Sequence, residues 1–199
     1  YNNFFDFDIY MGYTQKSFWQ IYDTKDSRPF RESNYAPEIY ASRDTDLNFL
    51  FLNLERYRFG YIHESNGGDT PNSRSWDRFF FESTLRYKDI VLIPKIWGRI
   101  PEKQKTNPND AVGDDNPEIE RYLGYGQFGI KYEIGESTLE ALFRNNLENS
   151  DNRGSLLLEY YYPLRSSYFY IQYFNGYGES LIDYNRHNNT IGIGILLNH

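Results

Sequence analysis

Phe79-Phe80-Phe81-Glu82-Ser83-Thr84-Leu85-Arg86-Tyr87 interleaves two unlike sets of side chains. Its odd positions are mostly apolar and its even positions include Glu82 and Arg86, the period of two expected of a strand with two unlike faces. Ile191-Gly192-Ile193-Gly194-Ile195-Leu196-Leu197 carries an aliphatic side chain at every odd position. Working outward, the same pattern predicts about ten strands in one domain spanning 1–199, over 4–22, 33–43, 46–65, 73–88, 89–100, 118–134, 137–146, 153–164, 166–177 and 186–198. Turn-rich joints such as Asn66-Gly67-Gly68-Asp69 and Asn149-Ser150-Asp151-Asn152 separate them. One connection, 102–116, is long and polar and holds the acidic pair Asp114-Asp115.

Composition says what surrounds these strands. The chain is 19% aromatic, with 20 Tyr and 15 Phe, yet its mean hydropathy is -0.75. Those values conflict in a water-soluble globule and agree in a transmembrane β-barrel, where one strand face meets lipid and the other meets water. Tyr suits that setting because its ring sits in the apolar band while its hydroxyl reaches the headgroups. The longest apolar runs, such as 90–93 and 193–197, fall far short of the roughly 18 residues of a membrane-spanning helix. The fold class predicted is therefore all-β, an antiparallel barrel, because an open sheet edge in hydrocarbon leaves backbone groups unpaired. Tyr1 opens directly onto strand-like sequence without a signal-peptide pattern, which reads as a mature or trimmed form. A net charge of -7 gives no reason for a nucleic-acid partner, and the absence of cysteine removes disulfides and thiolate chemistry.

Most motif-like features have plain explanations. Gly124-Tyr-Gly-Gln-Phe-Gly129 matches a dinucleotide-binding pattern by letter, but it lacks the strand–turn–helix context and reads as glycines relieving crowding on a curved strand. The segment 109–120 resembles a calcium loop only superficially, since its glycine is misplaced and Pro117 interrupts it. His63, His187 and His199 show no zinc-ligand spacing.

His63-Glu64-Ser65-Asn66-Gly67, followed by Ser73-Arg-Ser-Trp-Asp77, is different. A serine hydroxyl becomes a nucleophile beside a base, and the base needs an orienting partner. His63 and Ser65 are two apart on a strand and share a face with Tyr57, Phe59 and Tyr61. Asp77 shares the face of Phe79, Phe81, Leu85 and Tyr87 on the next strand. A hairpin centred near Thr70 sets His63 opposite Asp77 and Ser65 opposite Ser75, at a Cβ separation of about 4.5–5.5 Å. A histidine among aromatic-belt hydroxyls is also common on inert barrels. Against that, a carboxylate on the lipid side is costly without a partner, so Asp77 requires His63 or something like it.

These residues resemble the outer-membrane phospholipase A family. The stretches that carry the resemblance are Tyr13-Thr-Gln-Lys-Ser-Phe-Trp-Gln20, Pro29-Phe-Arg-Glu-Ser-Asn-Tyr35, His63-Glu-Ser-Asn-Gly67, Ser73-Arg-Ser-Trp76 and Gly176-Tyr-Gly-Glu-Ser-Leu-Ile-Asp-Tyr-Asn185. The resemblance implies a bacterial outer-membrane, twelve-stranded, homodimeric barrel that uses calcium to hydrolyse acyl esters of phospholipids. It implies Ser65 as nucleophile, His63 as general base and then acid, and Asp77 as third member where familiar relatives carry asparagine. Either side chain accepts from the imidazole N–H. It further implies the Gly67 amide in the oxyanion hole. The calcium ligands it implies are Ser73, the Gly68 carbonyl and Ser27 of the partner subunit, and it places Gln15 at the dimer interface. Gly68 stands where familiar members have arginine, which spares a carbonyl ligand but loosens the loop. The resemblance begins near the family's third strand and no terminal aromatic follows His199, so residues beyond both ends are expected. Two rival functions are a passive porin and an acyl-modifying barrel acting on lipopolysaccharide. Arg56, Arg58, Arg74, Arg78, Glu82 and Arg86, read as lining the interior, argue for a plugged lumen over a channel.

Overall fold

The computed structural model describes residues 7–25, 29–107, 110 and 112–197. Ten strands follow one another in chain order: β1 Asp8–Trp19, β2 Phe30–Phe49, β3 Leu52–Ser65, β4 Ser75–Tyr87, β5 Ile90–Ile100, β6 Gly126–Ile134, β7 Ser137–Asn145, β8 Gly154–Leu164, β9 Ser167–Gly176 and β10 Asn188–Leu197. Each pairs antiparallel with the next in a single up-and-down sheet. The expected two-sided character is present on β4, where Phe79 is 61% exposed and Phe80 4%. On β10, Ile191, Ile193 and Ile195 all face outward, Ile193 at 76% exposure. Such an aliphatic outer band is the surface that lipid contact requires.

Among the described residues β1 and β10 do not hydrogen-bond to each other, so the ladder itself stays open there. Polar contacts bring the two edges together instead. Lys16 Nζ on β1 donates to the Glu179 carbonyl at 2.7 Å. The Glu179 carboxylate accepts from Asn188 Nδ2 at 2.9 Å and from Thr190 Oγ1 at 2.6 Å on β10.

The inner face is plugged. Trp76, Phe80 and Trp97 from β4 and β5 pack with Leu181 and Tyr184 and with a short helix, α1 Ile119–Leu123. The expected strand over 118–134 therefore contains a helical turn, and β6 begins only at Gly126. Gly124 closes that helix at φ +70°, and a Cβ there would lie 2.4 Å from the Asn145 carbonyl oxygen. Gly124 thus serves a helix end and not the strand expected of it, whereas Gly126, on β6, allows close approach of the paired strand, with a Cβ there 2.7 Å from the Lys95 carbonyl oxygen. Arg58, Arg78 and Glu82 do face the interior, with Arg58 bonded to Glu82 at 2.6 Å and Arg78 to Glu64 at 2.5 Å. Arg56 and Arg86 lie on the same side of the strands, opposite Thr84 and Asn53, but at an exposed end of the sheet where they pair with Asp44 and Glu55.

A second correction concerns the β2–β3 turn. The expected break between 43 and 46 is a bulge, where the register shifts between Asp44 and Leu47. The strand continues to Phe49, and the chain turns at Leu50, whose φ is 54°.

Candidate active site

β3 and β4 position the site. Their register sets His63 opposite Asp77 and Ser65 opposite Ser75, as the hairpin reading expected. His63 Nδ1 lies 2.8 Å from Asp77 Oδ1. A carboxylate accepts, so in the neutral ring this contact places the proton on Nδ1 and turns the Nε2 lone pair away from Asp77. The side chains of His63 and Asp77 are 37% and 27% exposed, enough to be reached from the outer face. Among the described residues Ser65 is not hydrogen-bonded to His63. The fold brings the His63 imidazole and the Asp77 carboxylate together and puts Ser65 on their face two residues on.

Asp77 has a second partner that the sequence reading missed. The Tyr61 hydroxyl donates to the same Oδ1. Tyr61 is two residues before His63 and diagonal to Asp77, within the reach of a long side chain across paired strands. From Tyr61 and His63 an apolar trough runs over the outer wall past Ile39 and Pro37 to Met11 and Tyr13.

The loop after Ser65 is built around Asn66. Its Oδ1 accepts from the Gly68 amide at 3.2 Å and the Arg74 amide at 2.8 Å, and its Nδ2 donates to the Asn72 carbonyl at 2.8 Å. Gly67 sits at φ +60°, a conformation in which a side chain is strained. Gly68 lacks a positive φ, but a Cβ there would lie 3.3 Å from both Asn66 Oδ1 and the Asn72 carbonyl oxygen.

The 102–116 connection folds back onto this loop. Ser73 Oγ donates to Asp115 Oδ2 at 2.6 Å, and Lys105 Nζ donates to Asp115 Oδ1. Arg99 holds Asp114 at 2.7 Å, and the Ser75 amide donates to Asn116 Oδ1 at 3.0 Å. Burial, and then the neighbouring Asp114, pushes the Glu102 carboxyl above the ordinary range. Asp115 is thus a carboxylate beside Ser73 that the sequence reading did not assign to the site. Among the described residues no three acidic or histidine side chains converge as a cluster able to hold a metal. Ser27 lies outside the described residues. Gln15 lies on the exposed face of β1, where it accepts from the Tyr13 hydroxyl at 3.2 Å and donates to Ser17 Oγ at 3.0 Å.

Known proteins share this arrangement of elements. The family described as Phospholipase A1 matches residues 1–197. The chain belongs to that family. Phospholipase A1 of Salmonella typhimurium is 38% identical over 188 residues, covering 94% of this chain and 61% of the relative. The Escherichia coli K12 enzyme of the same name is 36% identical with the same coverage. The chain therefore spans about three-fifths of the length of these curated relatives. Among solved structures, outer membrane phospholipase A from Escherichia coli superposes with a TM-score of 0.85 at 36% identity, over 94% of this chain and 74% of that one. The Salmonella typhi outer membrane phospholipase dimer with bound calcium also gives 0.85, at 37% identity, over 94% and 69%. A third, at 0.85 and 36%, is a variant of the Escherichia coli protein described as an active-site mutant, with asparagine replaced by alanine. The all-β barrel fold expected from alternation is the fold of this family.

Proposed function

We propose that this chain is the catalytic part of a calcium-dependent phospholipase of the bacterial outer membrane, hydrolysing acyl esters from the lipid-facing wall. The observation that carries this reading is the 2.8 Å contact between His63 and Asp77 on an exposed apolar face, with Nε2 turned away from Asp77 and Ser65 next on that face. An acyl chain fits the apolar trough that ends at His63. The reaction begins as His63 Nε2 takes the Ser65 hydroxyl proton and Oγ attacks the ester carbonyl. His63, now doubly protonated, gives that proton to the leaving alcohol as the acyl–Ser65 ester forms. Water, deprotonated by the same imidazole, then releases the fatty acid and restores Ser65. Asp77 orients the ring throughout, and the Gly67 amide is the assigned donor to the oxygen that becomes negative. Like the asparagine whose replacement is described as an active-site mutation in the Escherichia coli protein, Asp77 offers a side-chain oxygen as acceptor.

Calcium fits the residues present. Ser73 Oγ, the Gly68 carbonyl and the Asp115 carboxylate are hard oxygen donors, the type this ion takes. Asp115 already engages one cation, the Lys105 ammonium. One carboxylate makes a weak site, which suits completion by the partner subunit's Ser27 in a homodimer, with Gln15 supplying polar contact across the interface. Bound there, calcium would polarise oxygen ligands and favour negative charge near the Gly67 amide. The test is fatty-acid release from phospholipid–detergent micelles with and without calcium. Release that needs calcium and is lost in Ser65→Ala supports the reading. Liposome swelling without hydrolysis would favour a porin, although the packed interior of Trp76, Phe80 and Trp97 opposes an open channel.

A further inference from the structure

Among the stretches of the family resemblance that hold no triad member are 29–35 and 176–185. The fold joins them to each other and to the catalytic loop. Arg31 pairs with Asp183, and Asn34 Oδ1 accepts from the Leu181 amide at 3.2 Å. Between them stands Glu32, 7% exposed, with no cation paired to it among the described residues. A buried carboxylate in that state depends on hydrogen bonds for its solvation. Glu32 Oε1 accepts two, from the Ile182 amide at 2.8 Å and from Asn66 Nδ2 at 3.2 Å.

The second bond has a geometric consequence. Asn66 must turn its oxygen to the Gly68 and Arg74 amides and its nitrogen to the Asn72 carbonyl. A flipped amide would set carbonyl oxygen against both Glu32 and the Asn72 carbonyl, and NH2 against two N–H donors. A carboxylate can only accept here, so Glu32 reinforces the orientation that closes the loop and ties it to a group outside the loop. We infer that Glu32 is a positioning residue, which fixes the Asn66 amide and so shapes the 66–74 loop carrying Gly67, Gly68 and Ser73. The same carboxylate ties that loop to the 177–187 segment covering the interior. The consequence for turnover rests on the phospholipase reading above, whereas the consequence for loop order does not.

Hydrogen exchange, read by mass spectrometry on the calcium-free protein in detergent, separates the two. Glu32→Ala should speed exchange at the Gly68, Arg74 and Ile182 amides by roughly tenfold or more, the effect of losing a hydrogen bond to a charged group. Segments within β3 and β4 should stay protected. Glu32→Gln retains an acceptor oxygen and should exchange like the unmodified chain. Should Glu32→Ala not fold, Glu32→Asp draws the carboxylate back by one methylene and should loosen the same three amides. In the phospholipase assay the alanine variant should lose kcat with little change in KM, and the glutamine variant should recover it. Unchanged exchange at 66–74 in both Glu32→Ala and Glu32→Asp, or equal loosening in Glu32→Gln, would overturn the inference. A chain that hydrolyses no phospholipid would overturn the functional reading and leave the exchange result standing.

Discussion

Asp77 is the residue whose replacement says most about how the site works. Its Oδ1 accepts from both His63 Nδ1 and the Tyr61 hydroxyl. Hydrogen bonds to a charged group contribute about 1.5–3 kcal/mol and neutral ones about 0.5–1.5. Asp77→Asn keeps an acceptor and loses the charge, a difference of about 1 kcal/mol, or roughly fivefold in rate. Asp77→Ala removes the acceptor altogether, about 1.5–3 kcal/mol, which is on the order of ten- to a hundredfold. Loss of the fixed tautomer adds to the alanine variant, since the ring is then free to carry its proton on Nε2. Tyr61→Phe leaves the His63 contact in place and should cost less than Asp77→Asn. The assay is initial-rate fatty-acid release at saturating calcium, with circular dichroism to establish that each variant folds. Equal rates for Asp77→Asn and Asp77→Ala would refute the argument, because the amide acceptor would then do nothing for the imidazole.

Further outcomes concern calcium and the charges near the site. Lys105→Met removes the ammonium that engages Asp115 and should lower the calcium concentration giving half-maximal activity several-fold; an unchanged calcium titration would mean Asp115 is not near the ion. The raised Glu102 carboxyl means that its ionised form is disfavoured in the fold, so stability falls as pH rises from the ordinary carboxyl value, about 4.3, through the raised one. Glu102→Gln should therefore raise the unfolding temperature of calcium-free protein at pH 7 and lose that advantage near pH 4; an equal gain at both would contradict the assignment. Chelation should abolish hydrolysis, and Ser27→Ala should weaken calcium dependence and turnover without unfolding the barrel. A monomer as fast as a crosslinked dimer at low calcium would remove the shared site.

What was legible depended on distance along the chain. Alternation over 79–87 assigns Phe79 to the outer wall and Phe80 and Glu82 to the interior, because strand geometry sends neighbours to opposite faces. The His63–Asp77 register follows from the same rule and a hairpin centre. The β2–β3 turn was not legible. Asp44-Thr45 has turn chemistry, yet Asp44 pairs with Arg56 and Thr45 Oγ1 with the Leu54 carbonyl, while the true turn lies in the apolar run Phe49-Leu50-Phe51. A five-residue helix is too short to show a 3.6-residue period, so α1 was read as strand. The acidic pair at 114–115 was visible as composition, but its docking on Ser73 and Arg99 is a long-range contact that no local pattern encodes. The Tyr61–Asp77 bond was within reach of the cross-strand rule, since Tyr61 is diagonal to Asp77 on the same face.

The central claim is that Ser65 is a nucleophile activated by His63 on the outer wall. The most direct measurement is to treat the protein with an alkyl sulfonyl fluoride in detergent with calcium and map the adduct by peptide mass spectrometry. One stoichiometric adduct is expected, on Ser65, which disappears in His63→Ala and is slowed when calcium is chelated. An adduct on another serine, or none on Ser65 in a protein that still hydrolyses phospholipid, would contradict it.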